Sequence, residues 1–106
     1  MNGLVDTSYG MVTLYDFTAK WCGPCRTMKP VLDALAKEYA GRVQLVEVDV
    51  DDDQLTTQQF NVRAMPTYVL VRDGREVGRF VGSRPRAFVA GVLDRAISGD
   101  VQITAP

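Results

Sequence analysis

A chain of 106 residues with a formal net charge of −1, 46% hydrophobic and 24% charged, has the makeup of an ordinary globular protein. It is long enough to build one sizeable core without metal or disulfide support. The near-neutral balance argues against nucleic acid as the main partner, and no stretch approaches the roughly 20 apolar residues of a membrane span.

Residues 1–106 are expected to form a single domain. The opening Met1-Asn2-Gly3-Leu4-Val5-Asp6 carries neither a basic region nor an apolar run, so a cytoplasmic, reducing location is expected. Val12–Phe17 is rich in β-branched and aromatic residues and reads as a strand. Gly23–Ala40 shows the helical period, with Val31, Leu35 and Tyr39 on one stripe, Pro30 inside the helix and Gly41 placed to end it. Val43–Val50 is a second strand, and Asp52 or Asp53 can cap a short helix running to about Phe60. Pro66 precedes a third strand, Thr67–Arg72, and Asp73-Gly74 signals a hairpin into Glu76–Val81. The last helix is expected to open near Ser83 as N-cap, with Pro85 in its first turn and Gly99 just past its end. Residues 99–106 read as a loose tail. The order β-α-β-α-β-β-α places the chain in the α/β class, with the first two strands parallel through a helical crossover and the last two antiparallel.

Charge is unevenly spread. Glu47, Asp49, Asp51, Asp52 and Asp53 form an acidic block, and Arg63, Arg72, Arg75, Arg79, Arg84 and Arg86 follow it. Two readings stand: solvated loops and faces, or a surface that selects protein partners by charge.

The chain's only cysteines stand together in Trp21-Cys22-Gly23-Pro24-Cys25, where the first strand hands over to the first helix. So short a disulfide loop removes little entropy from the unfolded chain, so the pair is poorly suited to stapling a fold and better suited to exchange chemistry. A zinc or iron–sulfur site needs further soft ligands. With no histidine and no third cysteine, one chain cannot complete a four-coordinate site, although two chains could share one.

C-x-x-C after a strand in a βαβ setting resembles the thioredoxin motif. The likeness extends to Asp16-Phe17, Ala19, Pro30, Met65-Pro66-Thr67, Asp73-Gly74 and Val81-Gly82, all at the spacings of thioredoxins. It covers almost the whole chain after about Met11. The resemblance implies a thioredoxin fold with a central mixed sheet of four strands flanked by helices. The family's first strand and helix would be reduced or missing, leaving residues 1–11 as a vestigial segment and Val43–Val50 at an open edge. A monomer is expected, with edge-mediated dimerisation the alternative.

The implied function is reduction of disulfides in protein substrates. Thioredoxin reductase would recycle the chain using NADPH, and the chain itself would bind no cofactor. Cys22, at the helix N-terminus where the macrodipole favours an anion, is expected to attack, and Cys25 to resolve the mixed disulfide. Asp16 shares a strand face with Val12 and Leu14, so a desolvated carboxyl with a raised pKa is expected. In the family this aspartate helps to deprotonate the resolving cysteine, here Cys25. The Met65–Pro66 bond is expected to be cis. Trp21, Gly23, Pro24, Ala64, Met65, Pro66 and Gly82 are expected to line a shallow substrate groove. Gly23-Pro24 is the dipeptide of the family's reducing members, which disfavours a disulfide oxidase or isomerase. Retention of both thiols disfavours a redox-silent binding module. Thr18 and Glu47 depart from bacterial thioredoxins, which usually carry Trp and Lys there. Glu47 facing Asp16 would raise the aspartate's pKa, and Lys20 could favour the Cys22 thiolate.

Overall fold

The computed structural model describes residues 10–99 and 103–104. The elements are β1 (Val12–Thr18), α1 (Gly23–Glu38), β2 (Val43–Asp49), α2 (Gln54–Gln59), β3 (Thr67–Arg72), β4 (Arg75–Val81), α3 (Arg86–Ser98) and β5 (Ile103–Thr104). They form one mixed sheet in the order β2-β1-β3-β4-β5. β1 runs parallel to β2 and antiparallel to β3, and β3 runs antiparallel to β4. The four expected strands, their directions and the connecting helices are present.

Two expectations are corrected. The tail is not wholly loose, because Ile103 and Thr104 pair in parallel with Gly78 and Arg79. The outer edge of β4 presents unpaired backbone groups, and this short strand satisfies part of them. The sheet therefore has a two-residue fifth strand at the end opposite β2. At α3 the N-cap is Pro85 rather than Ser83. Its φ of −60° is compatible with a helix, but its ψ of 151° keeps the backbone extended, and helical geometry starts only at Arg86. The expected vestigial segment falls almost entirely on residues 1–9, outside the described residues. Among the described residues β2 is an edge strand, and Glu47 and Asp49 on it are charges of the kind that discourage edge pairing.

Strand alternation sorts the core onto two faces. Val12 and Leu14 of β1, with Tyr68 and Leu70 of β3, pack with Met28, Leu32 and Leu35 of α1 and with Val89, Val92 and Leu93 of α3. On the other face Phe17 and Val69 pack with Ala19, Val48, Val50 and both cysteines, flanked by Phe60, Val62 and Met65. Because β3 is covered on both faces, its first four residues are all buried. Tyr68 stacks on Phe80 with ring centroids 4.8 Å apart, and Phe88 meets Phe80 edge-on at 5.4 Å. A fully buried phenylalanine such as Phe80 contributes about 2–3 kcal/mol of hydrophobic free energy.

The β3–β4 hairpin turns on Asp73 (φ 51°) and Gly74 (φ 78°), the paired positive values of a type I′ turn, which matches the strand twist. Arg72 then reaches α3, where its guanidinium donates to the carbonyls of Ala96 (3.1 Å) and Ile97 (2.9 Å) beside the left-handed cap at Gly99. A cation at the negative end of the helix satisfies carbonyls that the helix cannot.

Candidate active site

β1 ends at Thr18, whose carbonyl accepts a hydrogen bond from the Val50 amide, so the chain leaves the sheet beside the end of β2. A tight turn follows, closed by the Cys22 amide donating to the Ala19 carbonyl at 3.1 Å. This turn delivers Cys22 to the N-cap of α1 in an extended conformation (φ −91°, ψ 110°). Pro24 lies in the first helical turn, where a missing N–H leaves nothing unsatisfied. The Cys25 amide donates to Cys22 Sγ at 3.1 Å, the bond a capping serine or aspartate would ordinarily accept. Cys22 and Cys25 form a disulfide with Cα atoms 5.3 Å apart. They are only 4% and 7% exposed.

A Cβ on Gly23 would meet nothing within 4 Å, and the same holds at Gly82. The Met65–Pro66 bond is cis, Pro66 is buried, and its carbonyl accepts from the Gly82 amide at 2.9 Å. Met65 packs against the cluster that holds both cysteines. Ala64 is exposed, and its carbonyl takes the Thr67 hydroxyl at 2.6 Å. Trp21 is 66% exposed and is held by its indole N–H donating to Asp51 at 3.0 Å. The structure thus packs Met65 against the cluster that includes the cysteines and joins Pro66 to Gly82. Trp21 flanks the disulfide and leans on the β2–α2 connection.

Asp16 lies on the β1 face that carries Val12 and Leu14, the face against which α1 packs. It is 7% exposed, and among the described residues its Oδ1 has no hydrogen-bond partner. Burial pushes its carboxyl up to about 6, and the Glu47 carboxylate adds to the rise. Lys29 opposes the rise, and Asp33 adds a smaller upward push. The parallel register sets Asp16 directly beside Glu47. Lys29 pairs with Glu47 at 3.8 Å and with Asp33 at 3.6 Å. Lys29 and Glu47 also line a cleft of about 330 Å³ together with Thr18, Cys25 and Asp49.

Three residues escaped the sequence reading. Asp51 was assigned to the acidic block, and nothing local marks it as the tryptophan's acceptor. Lys29 and Asp33 follow Cys25 at four-residue steps, a helical spacing that puts all three on one side of α1. Lys20 meets the helix through its carbonyl, which accepts from Arg26 at 2.8 Å. Among the described residues no group of three or more His, Cys, Asp or Glu side chains could hold a metal, and no helix is long and apolar enough to cross a membrane.

The family profile named Thioredoxin matches residues 5–95. A thioredoxin of Haemophilus influenzae is 46% identical over 84 residues, covering 79% of this chain and 78% of that one. One of Staphylococcus aureus is 40% identical over 84 residues, covering 79% and 81% respectively. The X-ray structure of Fasciola hepatica thioredoxin superposes with a TM-score of 0.79 at 39% identity, over 84% of each chain. With the Cys22–Cys25 disulfide at the mouth of α1 and these relatives, the chain belongs to the thioredoxin family and is a dithiol–disulfide oxidoreductase.

Proposed function

We propose that the chain reduces disulfides in protein substrates, with Cys22 as nucleophile, Cys25 as resolving thiol and Asp16 as the group that takes the proton from Cys25. The Cys22 thiolate attacks one sulfur of a substrate disulfide. That bond breaks, its electron pair leaves on the second substrate sulfur, and a mixed disulfide forms. Cys25 gives its proton to Asp16, attacks Cys22 Sγ and expels the first substrate sulfur as a thiolate. The substrate gains two electrons and the chain closes its own disulfide. Thioredoxin reductase, drawing on NADPH, returns two electrons to the pair.

The observation that carries this reading is the Cys25 amide pointing at Cys22 Sγ from 3.1 Å. A donor fixed there, together with the helix N-terminus, favours the thiolate over the thiol. The unpartnered Asp16 Oδ1 and its carboxyl raised to about 6 support a proton acceptor poised near neutrality. The open space over Gly23 and Gly82, taken together with Trp21, Pro24, Ala64, Met65 and Pro66, suits an extended protein segment. Met65 would supply backbone pairing to that segment. The chain acts as one domain and a monomer in the reducing cytoplasm, where a dithiol reductant stays charged with electrons.

The test is reduction of insulin disulfides with electrons fed from a reductase and NADPH. Cys22→Ser abolishes it, whereas Cys25→Ser accumulates mixed disulfides that a strong reductant releases. If neither thiol of the reduced protein alkylates faster than free cysteine at pH 7, the thiolate assignment fails.

A further inference from the structure

Lys29 has no part in the chemistry above, yet it is placed where that chemistry is tuned. Its ammonium stands on α1 one turn beyond Cys25, 3.8 Å from the Glu47 carboxylate and 3.6 Å from that of Asp33. Glu47 is in turn the β2 neighbour of Asp16 in the parallel register. Like charges on adjacent strands repel, and a dry carboxyl feels that repulsion strongly because little water screens it.

We propose that Lys29 is a positioning residue: it pins the Glu47 carboxylate and supplies the positive charge that offsets Glu47 and Asp33 at Asp16. The inference rests on the reading of Asp16 as proton acceptor, and names the residue that keeps the acceptor usable. As an ion pair Lys29–Glu47 adds little stability, because the side chains are 60% and 52% exposed. The effect of Lys29 is felt instead at Asp16, which is buried. Without the lysine, two carboxylates bear on Asp16 uncompensated, and the group holds its proton to higher pH, where it can accept none from Cys25. The other charged groups around the cleft are Lys20, Arg26 and Asp49 at its rim. Tyr68, opposite Asp16 on β3, is neutral because burial and the Asp16 charge push its phenol up.

The experiment is carboxyl NMR titration of Asp16 in the oxidised protein, across four variants. Lys29→Met raises its midpoint by about half a pH unit, and Lys29→Arg leaves it where it is. Glu47→Gln lowers it, and the double variant Lys29→Met/Glu47→Gln returns close to the parent, a cancellation that loss of packing would not produce. In the reduced protein, the pH profile for release of a mixed disulfide at Cys22 moves up with Lys29→Met and down with Glu47→Gln. An Asp16 midpoint that does not move in Lys29→Met, or moves equally in Lys29→Arg, overturns the proposal. Failure of the underlying reading looks different: an Asp16→Asn variant would then resolve mixed disulfides at the parent rate.

Discussion

Replacing Asp16 with asparagine removes one ionisable group from the core and should make the oxidised protein more stable at neutral pH. The unfolded chain titrates this carboxyl near 3.8, whereas the folded protein holds it to about 6. Between those values the native state keeps a proton that the unfolded state has released. Stability therefore falls as pH rises through about 4 to 6 and levels off above that range. The displacement from 3.8 to about 6, at about 1.36 kcal/mol per pH unit, amounts to about 3 kcal/mol at pH 8. The asparagine variant does not lose this stability. It brings its own cost, since the carboxyl oxygen it replaces has no hydrogen-bond partner among the described residues.

That cost is the same at every pH, so the informative quantity is the change in the stability difference between variant and parent. Urea unfolding at a series of pH values should show that difference growing in the variant's favour by about 2.4 kcal/mol between pH 4 and pH 8, with most of the change near pH 5. The oxidised protein is the right one to use, because its cysteines do not titrate. A difference that stays constant within about 0.5 kcal/mol across the series refutes the argument. Asp16 would then ionise in the folded state as it does in water.

Three further outcomes follow from particular contacts. Gly74→Ala should cost about 1–2 kcal/mol in urea unfolding although a Cβ there meets nothing within 4 Å, because the strain lies in φ 78° alone; an unchanged midpoint would show that the turn relaxes. Arg72→Met should cost about 1–2 kcal/mol and speed amide exchange in the last turn of α3, whose Ala96 and Ile97 carbonyls lose their donor; unchanged exchange would mean water replaces the guanidinium without penalty. Phe80→Ala should cost about 3–5 kcal/mol, because the ring is buried against Tyr68 and Phe88 and the cavity cannot collapse onto a sheet; a loss under about 1.5 kcal/mol would mean that the helix α3 settles into the gap.

What the amino-acid order disclosed, and what it withheld, divides by the range of the interactions concerned. Thr67–Arg72 and the Asp73-Gly74 turn were readable because β-branched runs and positive-φ residues act within a few positions, and the observed bounds and dihedrals agree. The placement of Cys22 at the mouth of a helix was readable for the same reason. Ile103–Thr104 was not, since two residues carry no period and their pairing with Gly78 and Arg79 depends on where α3 returns the chain. The start of α3 was misjudged by weighting a serine's capping propensity over the backbone actually adopted at Pro85, whose ψ of 151° is extended. Asp16 lies between these cases. Alternation with Val12 and Leu14 fixes which face its carboxyl occupies, but not the charges it meets there. Glu47 reaches it only through the parallel register, and Lys29 only through the crossing of α1 over that register. A two-residue period thus locates a buried acid, whereas its proton affinity is set by residues 13 and 31 positions away. Substitutions at Lys29 or Glu47 can therefore retune the site while the Trp-Cys-Gly-Pro-Cys turn is left unchanged.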